Sequence, residues 1–141
     1  MGIVKRLSKF FFAIILLFVA FQPASVSASG TAASNLVNAK DDDYVKSACR
    51  LWWNLPPTTG NSAKDLQSWA KKVRPTVDKA LSEASKANKL NKKWSQFQLE
   101  MVTYWGSITL GEDIRYSKVM FTSTVEKNAV KYLQGVCKSR K

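Results

Sequence analysis

Apolar residues recur three to four positions apart along most of the chain, and the breaks in that recurrence divide it into four helical segments. The first segment opens at Asp41-Asp42-Asp43, whose carboxylates suit the free amides and positive end of a helix N-terminus. Val45, Ala48, Cys49 and Trp52 follow on one face, and Asn54-Leu55-Pro56-Pro57 ends the segment, with residues 54–61 as a loop. The second segment starts at Ser62, which forms a capping-box pattern with Asp65. Leu66, Trp69, Ala70, Val73, Val77, Ala80, Leu81 and Ala84 make its apolar stripe. Pro75 interrupts it, and because the stripe stays in phase across the proline the pattern predicts a kink rather than two helices.

Residues 86–93, KANKLNKK, are polar and basic and read as the next connection. The third segment covers about 91–110, with Trp94, Phe97, Met101, Tyr104, Trp105 and Ile108 on one face and Gly111 as a C-terminal cap residue. From Trp94 to Gly111 the only charge is Glu100, and Leu99, Val102 and Leu110 fall on the outer side. The fourth segment is capped by Glu112-Asp113 and runs to Cys137, with Ile114, Phe121, Val125, Ala129, Tyr132 and Val136 on a shared face and a basic tail expected to fray. Val119–Val125 is β-prone locally, but the wider spacing fits a helix.

Four helices with brief connections predict an all-α fold: a small antiparallel four-helix bundle with a short first helix, a kinked second one and a domain spanning 41–141. Up-down order brings the start of helix one and the end of helix four together. Cys49 and Cys137 sit on those two helices, so a disulfide between them agrees with the topology.

The N-terminus follows a different pattern. Lys5, Arg6 and Lys9 precede an unbroken apolar run of 12 residues, Phe10–Phe21, and Gln22-Pro23 leads into the small residues ASVSASG. This is the layout of a secretory signal peptide over 1–28, cleaved after Ala28 with Val26 at the other inspected position. An uncleaved anchor would need about 20 apolar residues, so no transmembrane span is expected after cleavage. No cysteine lies near the cleavage point to carry a lipid. Residues 29–40 read as a flexible lead-in. An exported chain with two cysteines is expected to pair them.

Without the leader, 113 residues remain, with 19 basic against 10 acidic groups and a net charge of +9. That charge favours acidic partners such as an anionic envelope polymer, a membrane surface or an acidic protein; its alternative role is solubility. Nine basic residues and three acidic ones lie between 64 and 93. Lys64, Lys71, Lys79, Lys86 and Lys89 fall on an arc opposite the apolar stripe, and Lys72, Arg74, Lys92 and Lys93 join the same region. No aromatic residue interleaves with these lysines, so no base-stacking platform and no specific nucleic-acid recognition are expected.

Five tryptophans suit core packing, with Trp53, at the edge of its face beside the proline loop, as the best candidate for contact with a partner. Leu99, Val102 and Leu110 offer the alternative of a protein-docking face or homodimer seam. Enzymatic function is the least favoured reading. The chain has no histidine, two cysteines set too far apart for a zinc or redox pair, and an aspartate run without the spacing or glycine of a calcium loop. Glu100 would be the acid of a small hydrolase, with no second carboxylate evident. No cofactor or metal is expected.

Overall fold

The computed structural model describes the backbone of residues 30–140 and the side chains of residues 39–140. The leader assigned to 1–28 lies outside the described residues. The described chain is an all-α helical bundle: α1 (Gly30–Trp53), α2 (Ala63–Leu90), a 3-10 turn (Lys92–Trp94), α3 (Ser95–Gly111), the single-turn α4 (Ser117–Met120) and α5 (Thr124–Cys137). No strand occurs among the described residues.

The first helix is not short. It begins at Gly30, so the stretch expected as a flexible lead-in is helical, and Asp41-Asp42-Asp43 lie mid-helix instead of at its cap. No proline lies between Gly30 and Trp53 to stop the helix earlier. The aspartates have other work. Asp41 is fully buried, accepting a hydrogen bond from the Trp94 indole Nε1 at 3.0 Å and pairing with Lys93 Nζ at 3.3 Å. Asp42 accepts from Arg140 at 3.1 Å, and Arg140 also caps the Val136 carbonyl and lies 5.4 Å above the Trp94 ring. The C-terminal tail expected to fray is thereby tied to α1.

The second helix is one uninterrupted helix through Pro75 and extends to Leu90, so the basic stretch 86–90 is helix rather than connection. Pro75 lies on its exposed side, and its ring nitrogen has no hydrogen to donate to the Lys71 carbonyl. The capping box forms as expected: Ser62 Oγ accepts from Asp65 N at 3.1 Å and Asp65 Oδ2 accepts from Ser62 N at 3.2 Å. The proline loop is fixed to α2 by Trp69 Nε1 donating to the Pro56 carbonyl at 2.7 Å. Asn91 then ends α2 and starts the turn.

Helices α2 and α3 run in opposite directions. Asn88 bonds Gln98, Trp105 Nε1 donates to Asp78 at 2.7 Å, and Gln67 donates to the Glu112 carbonyl at 2.9 Å. The facing surfaces complement each other in size. α2 offers Ala70, Val73, Val77, Ala80, Ala84 and Ala87, whereas α3 offers Phe97, Met101, Tyr104 and Ile108, all buried. Small against large lets the two helices interdigitate at native density. Gly111 serves this contact too. α3 ends at Gly111 as expected, and a Cβ there would lie 3.0 Å from Phe121 Cε2 and 3.4 Å from Ala70 Cβ, so its small size also permits close approach.

The expected fourth helix is two. After Gly111 the chain turns, forms α4, breaks at Phe121–Ser123 and restarts at Ser123, whose Oγ accepts from Glu126 N at 3.1 Å. Glu112-Asp113 does not open a helix; Asp113 is chelated by the Arg115 side chain and its Oδ1 also accepts from Arg115 N at 2.9 Å in the turn, which together hold its carboxyl down at about 2. The buried face of α5 is Glu126, Ala129, Leu133 and Cys137, rotated from the predicted one. Ile114 and Val125 are exposed, and Tyr132 and Val136 are half-buried. Cys49 and Cys137 are buried and disulfide-bonded with their Cα atoms 5.2 Å apart, joining α1 to α5.

Candidate polyanion-binding face

The outer side of α2 carries the lysine ridge. From Lys64 to Lys89 the helix rises 1.5 Å per residue, so the ridge is about 38 Å long. The nine basic residues assigned to it divide into two groups. Three are held by other parts of the protein. Arg74 donates to Asp78 at 2.9 Å, reaches Glu112 at 3.5 Å and lies 4.8 Å over the Trp105 ring. Hydrogen bonding from Arg74, reinforced by Trp105, keeps the Asp78 carboxyl below its ordinary range against the opposing effect of burial. Lys86 pairs with Glu83 and sits 5.5 Å from the Tyr44 ring. Lys93 pairs with Asp41 and covers Trp94 at 5.1 Å.

The other six, Lys64, Lys71, Lys72, Lys79, Lys89 and Lys92, are exposed and make no ion pair among the described residues. The three carboxylates of this stretch are spent elsewhere: Asp65 in its cap, Asp78 on Arg74 and Trp105, Glu83 on Lys86. The field of the six lysines is therefore not cancelled locally. Two clefts open at the ends of α2. One of about 380 Å³ is lined by Thr58, Asn61, Leu66, Lys118, Phe121 and Thr122. The other, of about 210 Å³, involves Lys40, Tyr44, Lys86, Lys89 and Leu90.

The apolar candidates lie elsewhere. Leu99, Val102 and Leu110 are 55%, 39% and 47% exposed on the outer side of α3, away from the surface that meets α2 and α5. Trp53 is 38% exposed, its ring 5.6 Å from that of Trp52. Trp53 and the α3 residues sit on different helices.

Glu100 accepts a hydrogen bond from Gln96 at 2.7 Å, and no carboxylate is paired with it among the described residues. Among the described residues the buried acids are Asp41, expected as a cap, and Glu126, which the sequence did not single out. At Asp41, burial raises the carboxyl pKa, but hydrogen bonds from Trp94, Lys93 and Asn91 and the Lys93 charge outweigh it, leaving it below its ordinary value. At Glu126 burial dominates and pushes the carboxyl up, with only a small opposing effect of Lys127. Burial also raises the neighbouring Tyr104 hydroxyl, and the Glu126 charge adds to that. The Ser-x-x-Glu spacing of Ser123–Glu126 is the sequence signal that marks both this acid and the start of α5.

Among the described residues no cluster of three metal-ligating side chains forms, and no helix is long and apolar enough to cross a membrane. No protein-family model, no curated protein and no solved structure matches the chain.

Proposed function

We propose that this is an exported, non-enzymatic protein that holds an acidic component of the cell envelope, an anionic polymer or membrane surface, against the outer face of α2. The supporting observation is the division among the basic residues: six lysines of the ridge stand exposed without a carboxylate, whereas the structural cations Arg74, Lys86 and Lys93 each have one. Lysine ammonium groups on flexible stems suit a repeating anion, since they need no fixed geometry. Binding of this kind releases counterions and weakens steeply with salt.

The test is co-sedimentation of the oxidised full chain with phosphatidylglycerol vesicles and with polyphosphate at low and physiological salt. Binding is expected at low salt, reduced at physiological salt and lost in the Lys71→Glu, Lys79→Glu double variant, which leaves every described ion pair intact. Absence of binding at low salt, or equal binding by the variant, refutes the reading. A second reading rests on the uncharged outer face of α3, where Leu99, Val102 and Leu110 are exposed together. It assigns that face to a protein partner or a second copy. It requires salt-resistant association that Leu99→Glu abolishes without unfolding the chain.

A further inference from the structure

The ridge does not end uniformly. At its C-terminal end residues of α1 lie beside the helix, and the residues brought together there differ from those along the rest of the face. Lys40 and Tyr44 of α1 meet Lys86, Lys89 and Leu90 of α2 around an open cleft of about 210 Å³. Three lysines line a single concavity, and the ammonium group of one is already positioned: Lys86 is paired with Glu83 and lies over the Tyr44 ring. Lys40 and Lys89 have no ion-pair partner among the described residues. Counting Glu83 against the three lysines leaves the cleft near +2. Tyr44, half-buried, and Leu90, 40% exposed, supply an apolar wall beside the charge.

We infer that this cleft between α1 and the end of α2 is a binding site for a phosphate monoester carried on a sugar or similar polyol. A monoester carries about −1.5 to −2 charges at neutral pH, matching the cleft, whereas a diester or carboxylate carries one. Its oxygens accept from the three ammonium groups, and lysine serves phosphate as a point charge without a bidentate requirement. The carbon skeleton of the ligand lies on Tyr44 and Leu90, an amphipathic edge suited to the C–H face of a sugar ring. The ridge then supplies a diffuse field along a polymer, and the cleft selects its phosphorylated terminus. The inference rests on reading α2 as an anion-binding face, but it makes separate demands on separate residues.

The experiment is amide-resolved NMR titration of the oxidised full chain with glucose 6-phosphate, with glucuronate and glucose as monoanionic and neutral controls. Saturable shifts centred on Lys40, Tyr44, Lys86 and Lys89 are expected for glucose 6-phosphate. Lys40→Ala with Lys89→Ala should weaken binding about tenfold or more, since two charge-assisted contacts are lost. That variant should still bind polyphosphate through Lys64, Lys71 and Lys79. Conversely, Lys71→Glu with Lys79→Glu should lose polyphosphate and keep saturable glucose 6-phosphate shifts at the cleft. Vesicles of phosphatidic acid set against vesicles of phosphatidylglycerol separate a lipid-borne monoester from a soluble one. Equal affinity for glucuronate, shifts spread evenly along α2, or retention of glucose 6-phosphate binding by the Lys40→Ala, Lys89→Ala variant overturns the inference. Loss of polyphosphate binding without loss of these shifts leaves the cleft standing and confines failure to one site.

Discussion

Reducing the Cys49–Cys137 disulfide tests how the bundle holds its first and last long helices together. The bond closes a loop with a sequence separation of 88 residues. Cross-linking a chain restricts its unfolded state by an entropy that grows with the logarithm of loop length, and for this loop the effect is about 4.5 kcal/mol at 25 °C. Typical domains are stable by about 5–15 kcal/mol in total, so the reduced protein should be marginal. For a domain of this size 1 kcal/mol corresponds to roughly 4 °C in Tm, which predicts a fall of about 15–20 °C. Both cysteines are buried, and reduction deletes no side-chain atom, so it opens no cavity as a substitution would and reports the chain-entropy effect more directly. The assay is thermal unfolding by far-ultraviolet circular dichroism, with and without strong reductant, supported by urea titration. A fall below about 5 °C would refute the reasoning. It would mean that the unfolded chain is already restricted, or that Arg140–Asp42 and the core hold α1 against α5 without the bond.

Two carboxylates give predictions of opposite sign. Asp41→Ala leaves the Trp94 indole N–H without its acceptor and should cost about 1–3 kcal/mol, read as a shift in urea midpoint. Because the folded-state pKa of Asp41 is lowered, its contribution is present above the unfolded value of about 4 and is lost as pH falls through the folded one, so wild type and Asp41→Ala should converge in strong acid. An unchanged stability difference at acid pH would contradict this. Glu126 has a raised pKa, so the folded state favours its protonated form; stability is greatest below the unfolded value and declines as pH rises through the folded one. Glu126→Gln should therefore raise Tm at pH 7 and make little difference below about pH 4. A Gln variant less stable than wild type at pH 7 would show that the carboxylate is held by a favourable contact instead.

Regular apolar spacing made α2 and α3 legible in the sequence. Their buried residues, from Leu66 to Ala84 and from Phe97 to Ile108, are those the periodicity marks, and the cysteines paired as their placement suggested. Misreadings came where polar residues have partners distant in sequence. Three consecutive aspartates resemble a cap, and nothing local shows that Asp41 will be buried against Trp94, 53 positions away. Gly111 ends α3 as its type suggests, but nothing local shows that its small size also answers to Phe121 across a turn. The fourth segment looked continuous because Ile114, Phe121 and Val125 keep helical spacing. The break between them follows Ser123, whose side chain caps the next helix more favourably than it would sit within one. Glu100 stands out in the sequence because its segment is apolar, whereas desolvation depends on what packs over a residue, and burial of that kind is found at Glu126.

The cations of α2 illustrate the same distinction with consequences for function. By sequence all nine belong to one ridge, and net charge alone would credit each equally. Packing separates them. Arg74, the one guanidinium, joins Asp78, Glu112 and Trp105, using planar geometry that lysine lacks. Lys93 neutralises the buried Asp41. Substituting either would report on stability before it reported on binding. The exposed, unpaired lysines are the opposite case: charge changes there leave the described contacts intact. Exposed charges interact at high dielectric and are screened within about 8 Å at physiological salt. Each lysine therefore contributes little alone, and appreciable affinity requires an anion long enough to meet several of them along the helix. The geometry of the ridge thus sets a length requirement on its partner: fragments shorter than the roughly 38 Å rise of the helix should lose affinity progressively, whereas a ligand held only at the Lys40–Lys89 cleft should show no dependence on length.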